Sequence, residues 1–324
     1  MKPKIYITRK LPDQVLTQVY ERFDVTMWAE EEIPVPRDVL EKSIQDVDGL
    51  LCLLTETIDE QLIKKAKQLK IIANMAVGYN NIDLDSATKH GILVTNTPGV
   101  LTETTADLTF ALLMATARRL IEASDYLKSG EWKTWSPMQL TGQDIFGSTL
   151  GIIGLGRIGE ALVKRAKGFN MKVLYYNRSR KYDKENELGI TYSSFENVLK
   201  ESDFLCIMVP FTSDTVNLIG TEELRLMKRS AILINTARGG IVDEQALYHA
   251  LKNNEIWGAG LDVFQNEPVA LDHPLLALPN VLCLPHIGSA SISTRLKMAN
   301  VALTNLQAGL LGEAPPNLVN NYIK

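Results

Sequence analysis

The chain is predicted to be an α/β protein of two Rossmann-like or flavodoxin-like domains, each a doubly wound parallel sheet, with a cleft between them. Three observations carry that expectation. Short β-rich runs alternate with helical periodicity along most of the 324 residues, the pattern of parallel strands joined by helical crossovers. One run, at 149–153, leads straight into Gly154-Leu-Gly-Arg-Ile-Gly159 and then a helical pattern. The length also exceeds what one hydrophobic core covers, and 45% hydrophobic content can fill two.

A first series of strands is expected at 4–8, 25–28, 49–54, 71–75 and 92–95, with helices between them. Asn96-Thr-Pro-Gly-Val100 breaks the series. Residues 102–120 then read as one long helix whose middle, 108–117, is apolar on nearly every face, so it must be buried between layers. A second series follows at 149–153, 172–176, 204–209, 231–235, 258–263 and 281–284, and six strands with helical crossovers make a complete dinucleotide fold. From about Ser291 the chain is helical again and turns extended at Pro315-Pro316. This last stretch is expected to rejoin the first domain. The boundaries are therefore set at 1–99 with 290–324 for one domain and 100–289 for the dinucleotide-binding domain, with two crossings that form a hinge.

Composition narrows the function. A net charge of −4 argues against a nucleic-acid partner, and the basic cluster at 178–184 is too short to reverse that. The N-terminus starts a strand within a few residues and lacks the apolar core and cleavage site of a signal peptide. No apolar run reaches the length needed to span a bilayer. Cys52, Cys206 and Cys283 each lie in an apolar run, which reads as buried thiols rather than disulfides or a metal site. A cytoplasmic protein with no metal is expected.

A glycine motif alone is weak; the strand before it and the helix after it decide. Gly154 permits the tight turn, Gly156 lets a pyrophosphate approach the backbone, and Gly159 lets the helix pack on the strand. The next strand ends at Asn177-Arg-Ser-Arg180, 18 residues past Gly159. An enzyme using NAD places an acidic residue there for the ribose hydroxyls. Here Asn177 removes the charge that would repel a 2′-phosphate, and Arg178 and Arg180 supply guanidinium groups to grip it, so NADP(H) is preferred, with NAD(H) as the alternative. The plainer reading is a solvated basic loop that tolerates either.

There are four histidines. His90 ends a helix, His249 sits within one and His273 lies in a polar loop, so all three read as structural or solvated. His286 follows the strand at 281–284 directly, at the carboxyl end where open parallel sheets bind ligands, and its neutral-range titration suits a proton donor. Arg238 stands after the strand at 231–235, where its planar fork can hold a carboxylate. Glu267 comes after the strand at 258–263, and beside His286 its charge would favour the imidazolium. Each residue alone reads as an ordinary surface group or loop ion pair. Three of them at three successive strand ends read as a site.

The blocks Gly154-Leu-Gly-Arg-Ile-Gly159, Asn235-Thr-Ala-Arg-Gly-Gly240, Gly258-Ala-Gly-Leu-Asp-Val-Phe264, Glu267-Pro268 and Pro285-His-Ile-Gly-Ser289 resemble the D-isomer-specific 2-hydroxyacid dehydrogenases over essentially the whole chain, and most of all the glyoxylate/hydroxypyruvate reductase branch. The resemblance implies that the domain at 1–99 and 290–324 binds substrate and that the active-site cleft lies between the two domains. It implies Arg238 on the substrate carboxylate, Glu267 paired with His286, and His286 as the acid/base. It further implies backbone amides of Val77 and Gly78 on the carboxylate. For the cofactor it implies Leu155, Arg157 and Ile158 at the pyrophosphate, Asn177 to Ser179 at the adenosine ribose, and Thr236 and Asp262 toward the nicotinamide. Thr105, Val209, Pro210, Ala237 and Gly288 complete the implied contacts. Glu267 stands where formate dehydrogenases of the superfamily carry glutamine, which argues against that branch.

Residues 130–137, with Trp132 and Trp135, correspond to the family's dimerisation arm, so a homodimer is expected. Trp135 either reaches a neighbour's active site or only packs in the interface. The expected reaction is reduction of a small 2-oxo acid, glyoxylate or hydroxypyruvate, to the D-2-hydroxy acid by hydride transfer. Within the same family 2-ketogluconate or another 2-oxo acid remains an alternative substrate. In a different class, a corepressor-like dinucleotide sensor would share the fold.

Overall fold

The computed structural model describes residues 2–320. They form two compact units, one of residues 2–101 with 291–320 and one of Thr102–Ala290.

The first unit opens with β1 (Lys4–Ile7), α1 (Asp13–Arg22), β2 (Asp24–Met27), α2 (Arg37–Ser43), β3 (Gly49–Cys52), α3 (Glu60–Lys65), β4 (Ile71–Asn74), α4 (Leu84–Lys89) and β5 (Leu93–Thr95). All five strands are parallel, in the order β2-β1-β3-β4-β5, the flavodoxin-like arrangement. Every residue of β3 and β4 is buried, as expected of central strands covered on both faces, which read as apolar runs without alternation.

In the second unit come α5 (Thr102–Ala117), α6 (Leu120–Lys128), β6 (Thr149–Ile153), α7 (Arg157–Lys167), β7 (Lys172–Tyr176), α8 (Tyr182–Leu188), β8 (Thr191–Tyr192), α9 (Phe195–Glu201), β9 (Phe204–Ile207), α10 (Thr221–Leu226), β10 (Ile232–Asn235), α11 (Glu244–Lys252), β11 (Gly258–Leu261) and β12 (Val281–Cys283). The parallel sheet runs β12-β11-β10-β9-β6-β7-β8. It has one strand more than the sequence predicts. The extra strand, β8, is a two-residue edge pairing with β7, too short to leave a period of its own. Sheet order reverses between β9 and β6, the switch point where ligands of such sheets bind.

The long helix expected over 102–120 stops at Ala117. Arg119 takes a left-handed conformation at φ 52°, held by a bidentate grip on Glu122 at 2.7 and 2.6 Å. The freed Ala117 carbonyl accepts from Gln143 N at 2.9 Å, so the returning arm closes the helix end. As its apolar sequence requires, α5 is buried, packed on α7 and across β10 to β12.

Finally α12 (Ile292–Leu310), capped by Ser291, packs on β3, β4 and β5 of the first unit. Leu318 then forms a bridge to Thr95. No helix among the described residues is long and apolar enough to cross a membrane.

Candidate active site

The turns after β10, β11 and β12 bring three ionisable side chains together. After β10, the Asn235 amide folds over the turn, with Nδ2 donating to Arg238 O (2.9 Å) and Oδ1 accepting from Ala237 N (3.1 Å). At Gly239 a Cβ would lie 1.9 Å from the Phe264 backbone, so only glycine lets this turn approach the one after β11 so closely. That approach brings Arg238 within electrostatic reach of Glu267: burial lowers the guanidinium pKa and the Glu267 charge opposes the shift. Arg238 Nη1 also donates to Ala237 O at 2.8 Å.

Glu267 is held at both oxygens. Oε1 accepts from Phe264 N at 2.9 Å, and Oε2 meets His286 Nδ1 at 2.6 Å. Burial pushes this carboxyl up, but His286, the Phe264 amide and Arg238 together outweigh burial and leave it below the ordinary value. At neutral pH the carboxylate accepts, Nδ1 carries the proton, and Nε2 is the ring atom left for proton exchange. His286 itself sits at φ 55°, a left-handed conformation uncommon outside glycine. Its strain is borne by the next amide, since Ile287 N donates to Asp262 Oδ1 at 2.7 Å.

Asp262 is almost fully buried, which raises its pKa against the Ile287 hydrogen bond. Its other oxygen, Oδ2, makes no well-formed hydrogen bond among the described residues, although the nearby Gly288 amide helps to lower the pKa. Gly288 lies beside it, where a Cβ would be 3.2 Å from Asp262 Oδ2 and 3.4 Å from the Thr105 methyl. Thr236 is bonded to the Thr109 hydroxyl (2.7 Å), which also reaches Thr105 O (2.8 Å). Thr109 escaped the sequence reading; the signal available was a hydroxyl one turn after Thr105 on the same helix.

The glycine turn has the shape its motif promises. Gly154 takes φ 102°, and a Cβ there would fall 2.7 Å from both Met208 C and Val209 Cγ1. At Gly156 nothing lies within 4 Å of the Cβ position, and α7 starts immediately after it at Arg157. An open face at a helix N-terminus suits a pyrophosphate. The buried Asp262 oxygen, lacking a well-formed hydrogen bond among the described residues, suits an amide donor such as that of nicotinamide. The residues therefore fit a nicotinamide dinucleotide.

At the ribose position the side chains divide. Asn177 is turned onto the glycine loop, its Oδ1 accepting from Leu155 N at 2.6 Å. Arg178 and Ser179 are exposed. Arg180 is held by Glu185 through two 2.8 Å contacts and lies 4.6 Å over the Tyr182 ring; the Glu185 bonds raise its pKa. Pro210 is exposed, and its carbonyl accepts from Thr215.

His273, read from sequence as structural or solvated, pairs through Nε2 with Glu244 (3.1 Å) and packs edge-on to Phe264. The other Glu244 oxygen accepts from Gln265 N, so this pair braces the turn carrying Glu267. On the arm, Trp132 and Trp135 are 54% and 76% exposed. In the first unit, Val77 and Gly78 are half-buried on the loop after β4.

A nucleotide turn and a carboxylate–imidazole dyad on one parallel sheet define a nicotinamide-dependent dehydrogenase. Residues 110–288 match the family described as D-isomer specific 2-hydroxyacid dehydrogenase, NAD binding domain. The chain is 52% identical over 324 residues to a glyoxylate reductase of Korarchaeum cryptofilum, covering 100% of this chain and 97% of the relative. It is likewise 52% identical over 327 residues to one of Thermococcus litoralis, covering 100% and 98%. Among solved structures, a protein of Thermus thermophilus superposes with TM-score 0.91 at 45% identity, covering 98% of this chain and 99% of that one. A Sinorhizobium meliloti NADPH-dependent glyoxylate/hydroxypyruvate reductase in complex with NADP and malonate gives 0.86 at 35%, covering 98% and 97%. The chain belongs to the D-isomer-specific 2-hydroxyacid dehydrogenase family, in the branch of the glyoxylate reductases, and is an NAD(P)-dependent oxidoreductase.

Proposed function

We propose that this enzyme reduces glyoxylate or hydroxypyruvate with NADPH, giving glycolate or the D-2-hydroxy acid. The observation that carries the reading is the His286–Glu267 contact of 2.6 Å beside Arg238. Arg238 holds the substrate carboxylate, assisted by the amides of the Val77-Gly78 loop, so the neighbouring carbonyl is fixed for attack. Glu267 keeps the proton of His286 on Nδ1, and Nε2 delivers a second proton to the carbonyl oxygen as charge develops there. A bound reduced nicotinamide supplies the hydride that attacks the carbonyl carbon.

NADPH over NADH is supported by the absence of an acid at Asn177 and by Arg178, which no ion pair or hydrogen bond joins to another described residue. Arg180 contributes once it leaves Glu185. A homodimer is supported by the apolar face of α6 and the arm, where Ile121, Leu127, Trp132, Trp135 and Met138 are all exposed. Trp135 is placed in that interface, and an altered preference among 2-oxo acids in Trp135→Ala would place it at the neighbour's site instead. A cytoplasmic location is supported by the free, buried thiols of Cys52 and Cys206.

The test is an absorbance assay at the nicotinamide band with glyoxylate, hydroxypyruvate and 2-ketogluconate against both coenzymes. The highest kcat/KM is expected for glyoxylate or hydroxypyruvate with NADPH. A higher value for 2-ketogluconate, or for NADH, overturns the corresponding part, and no turnover with any pair points to a dinucleotide-sensing role.

A further inference from the structure

The loop after β4 is held by its carbonyls. Ala76 O accepts from Thr97 N (2.9 Å), Val77 O from Asn96 Nδ2 (2.8 Å) and Gly78 O from Asn74 Nδ2 (2.9 Å). In a trans peptide the N–H of residue i+1 points opposite to the C=O of residue i. Three consecutive pinned carbonyls therefore aim the amides of Val77, Gly78 and Tyr79 to the other side. No acceptor for these three amides is found among the described residues, although backbone donors so regularly find one.

Both asparagines are in turn held by further asparagines. Asn74 is fully buried, at the carboxyl end of β4, and its Nδ2 also reaches Asn81 Oδ1 at 3.3 Å. Asn81 in turn donates to Leu53 O and Glu56 O, each at 3.0 Å. The Asn96 backbone is clamped from the other end of the chain: its carbonyl accepts from Asn305 Nδ2 on α12 (3.0 Å) and its N–H donates to Asn317 O (3.3 Å). Asn305 Oδ1 closes the set by accepting from Asn317 N at 3.2 Å. A single conformation of loop 76–79 is thus specified by side chains from β4, the segment after β5, α12 and the C-terminal segment.

We propose that Asn74 and Asn96 are positioning residues that set substrate affinity by orienting the Gly78 and Tyr79 amides toward the substrate carboxylate. The proposal rests on the reading that this loop receives the carboxylate. Asparagine suits the task because its amide donates to a carbonyl, whereas an isosteric aspartate would present an acceptor, repel the carbonyl and turn the peptide plane.

The test compares Asn96→Asp, Asn96→Ser and Gly78→Pro, the last removing one amide proton, by steady-state kinetics with glyoxylate and by fluorescence titration of NADPH and NADH, below the thermal midpoint of each variant. Asn96→Asp is expected to raise KM for glyoxylate by about ten- to hundredfold and Asn96→Ser by less, with coenzyme affinity unchanged and kcat reduced much less than KM rises. A merely structural role would lower thermal stability and leave the glyoxylate KM where it was. If Gly78→Pro raises KM and both Asn96 variants leave it unchanged, the positioning role is overturned while the loop reading stands. If all three leave it unchanged, the loop reading fails and the proposal with it.

Discussion

The two units present polar groups at the carboxyl ends of parallel strands in different ways. In the second unit the groups are ionisable side chains, Arg238, Glu267 and His286, each on a turn after its strand, and a single pair at 2.6 Å couples the acid to the imidazole. The first unit offers main-chain amides instead, on a loop whose carbonyls are tied down by Thr97, Asn96 and Asn74. Charged groups exchange protons and polarise a carbonyl. Amides can only hold an anion, but they do so without a titration of their own. Under the proposed function, chemistry falls to one unit and recognition to the other.

The sharpest way to break that division is His286→Gln. Turnover is expected to fall about a thousandfold with coenzyme binding retained, measured by single-turnover absorbance and fluorescence titration; near-normal turnover would remove the proton-transfer role. Glu267→Gln keeps the shape but loses a charge-assisted hydrogen bond worth about 2 kcal/mol, roughly thirtyfold in kcat. Its pH dependence carries a sign. The Glu267 pKa lies below its ordinary value in the folded protein, so its stabilisation is complete above the unfolded carboxylate pKa and is lost as pH falls through the folded one. Thermal melts of wild type and Glu267→Gln should differ near neutrality and converge in acid; a gap that widens on acidification contradicts this.

Gly239→Ala probes how closely the turns after β10 and β11 must approach. A Cβ 1.9 Å from the Phe264 backbone forces the turns apart, costing about 3 kcal/mol of stability and raising the substrate KM as Arg238 shifts. An unchanged melting temperature would mean that the two turns can separate freely. The smallest effect is expected from Glu185→Gln, which frees Arg180. An exposed ion pair is worth under about 1 kcal/mol, so the NADPH to NADH ratio of kcat/KM should rise only about two- to threefold; a fall in that ratio would show that Glu185 holds Arg180 in its working position.

Much of the site is legible in residues. His286 stands out because it alone of four histidines directly follows a strand, and Gly154 because a strand and a helix flank it. Asn177 reads as a ribose contact from its place after the second strand of the motif, but its amide is spent on Leu155. Arg180 reads as a free guanidinium; Glu185, five residues on, captures it once α8 folds back. Neither engagement has a periodic or compositional trace. His273 reads only as structural or solvated, without its partner, for the same reason: Glu244 is 29 residues away and meets it only through the packing of α11.

By itself the sequence determined the alternation of strands and helices, the nucleotide turn and the three charged residues at strand ends, because each depends on near neighbours and on the side-chain period of the backbone. Only the tertiary structure decided which hydrogen-bonding groups remain open: the Asp262 oxygen, the His286 Nε2 and the amides of 77–79. A polar group is free or spent according to what packs against it, and Asn305 and Asn317 come to Asn96, which pins the loop after β4, from more than 200 residues along the chain.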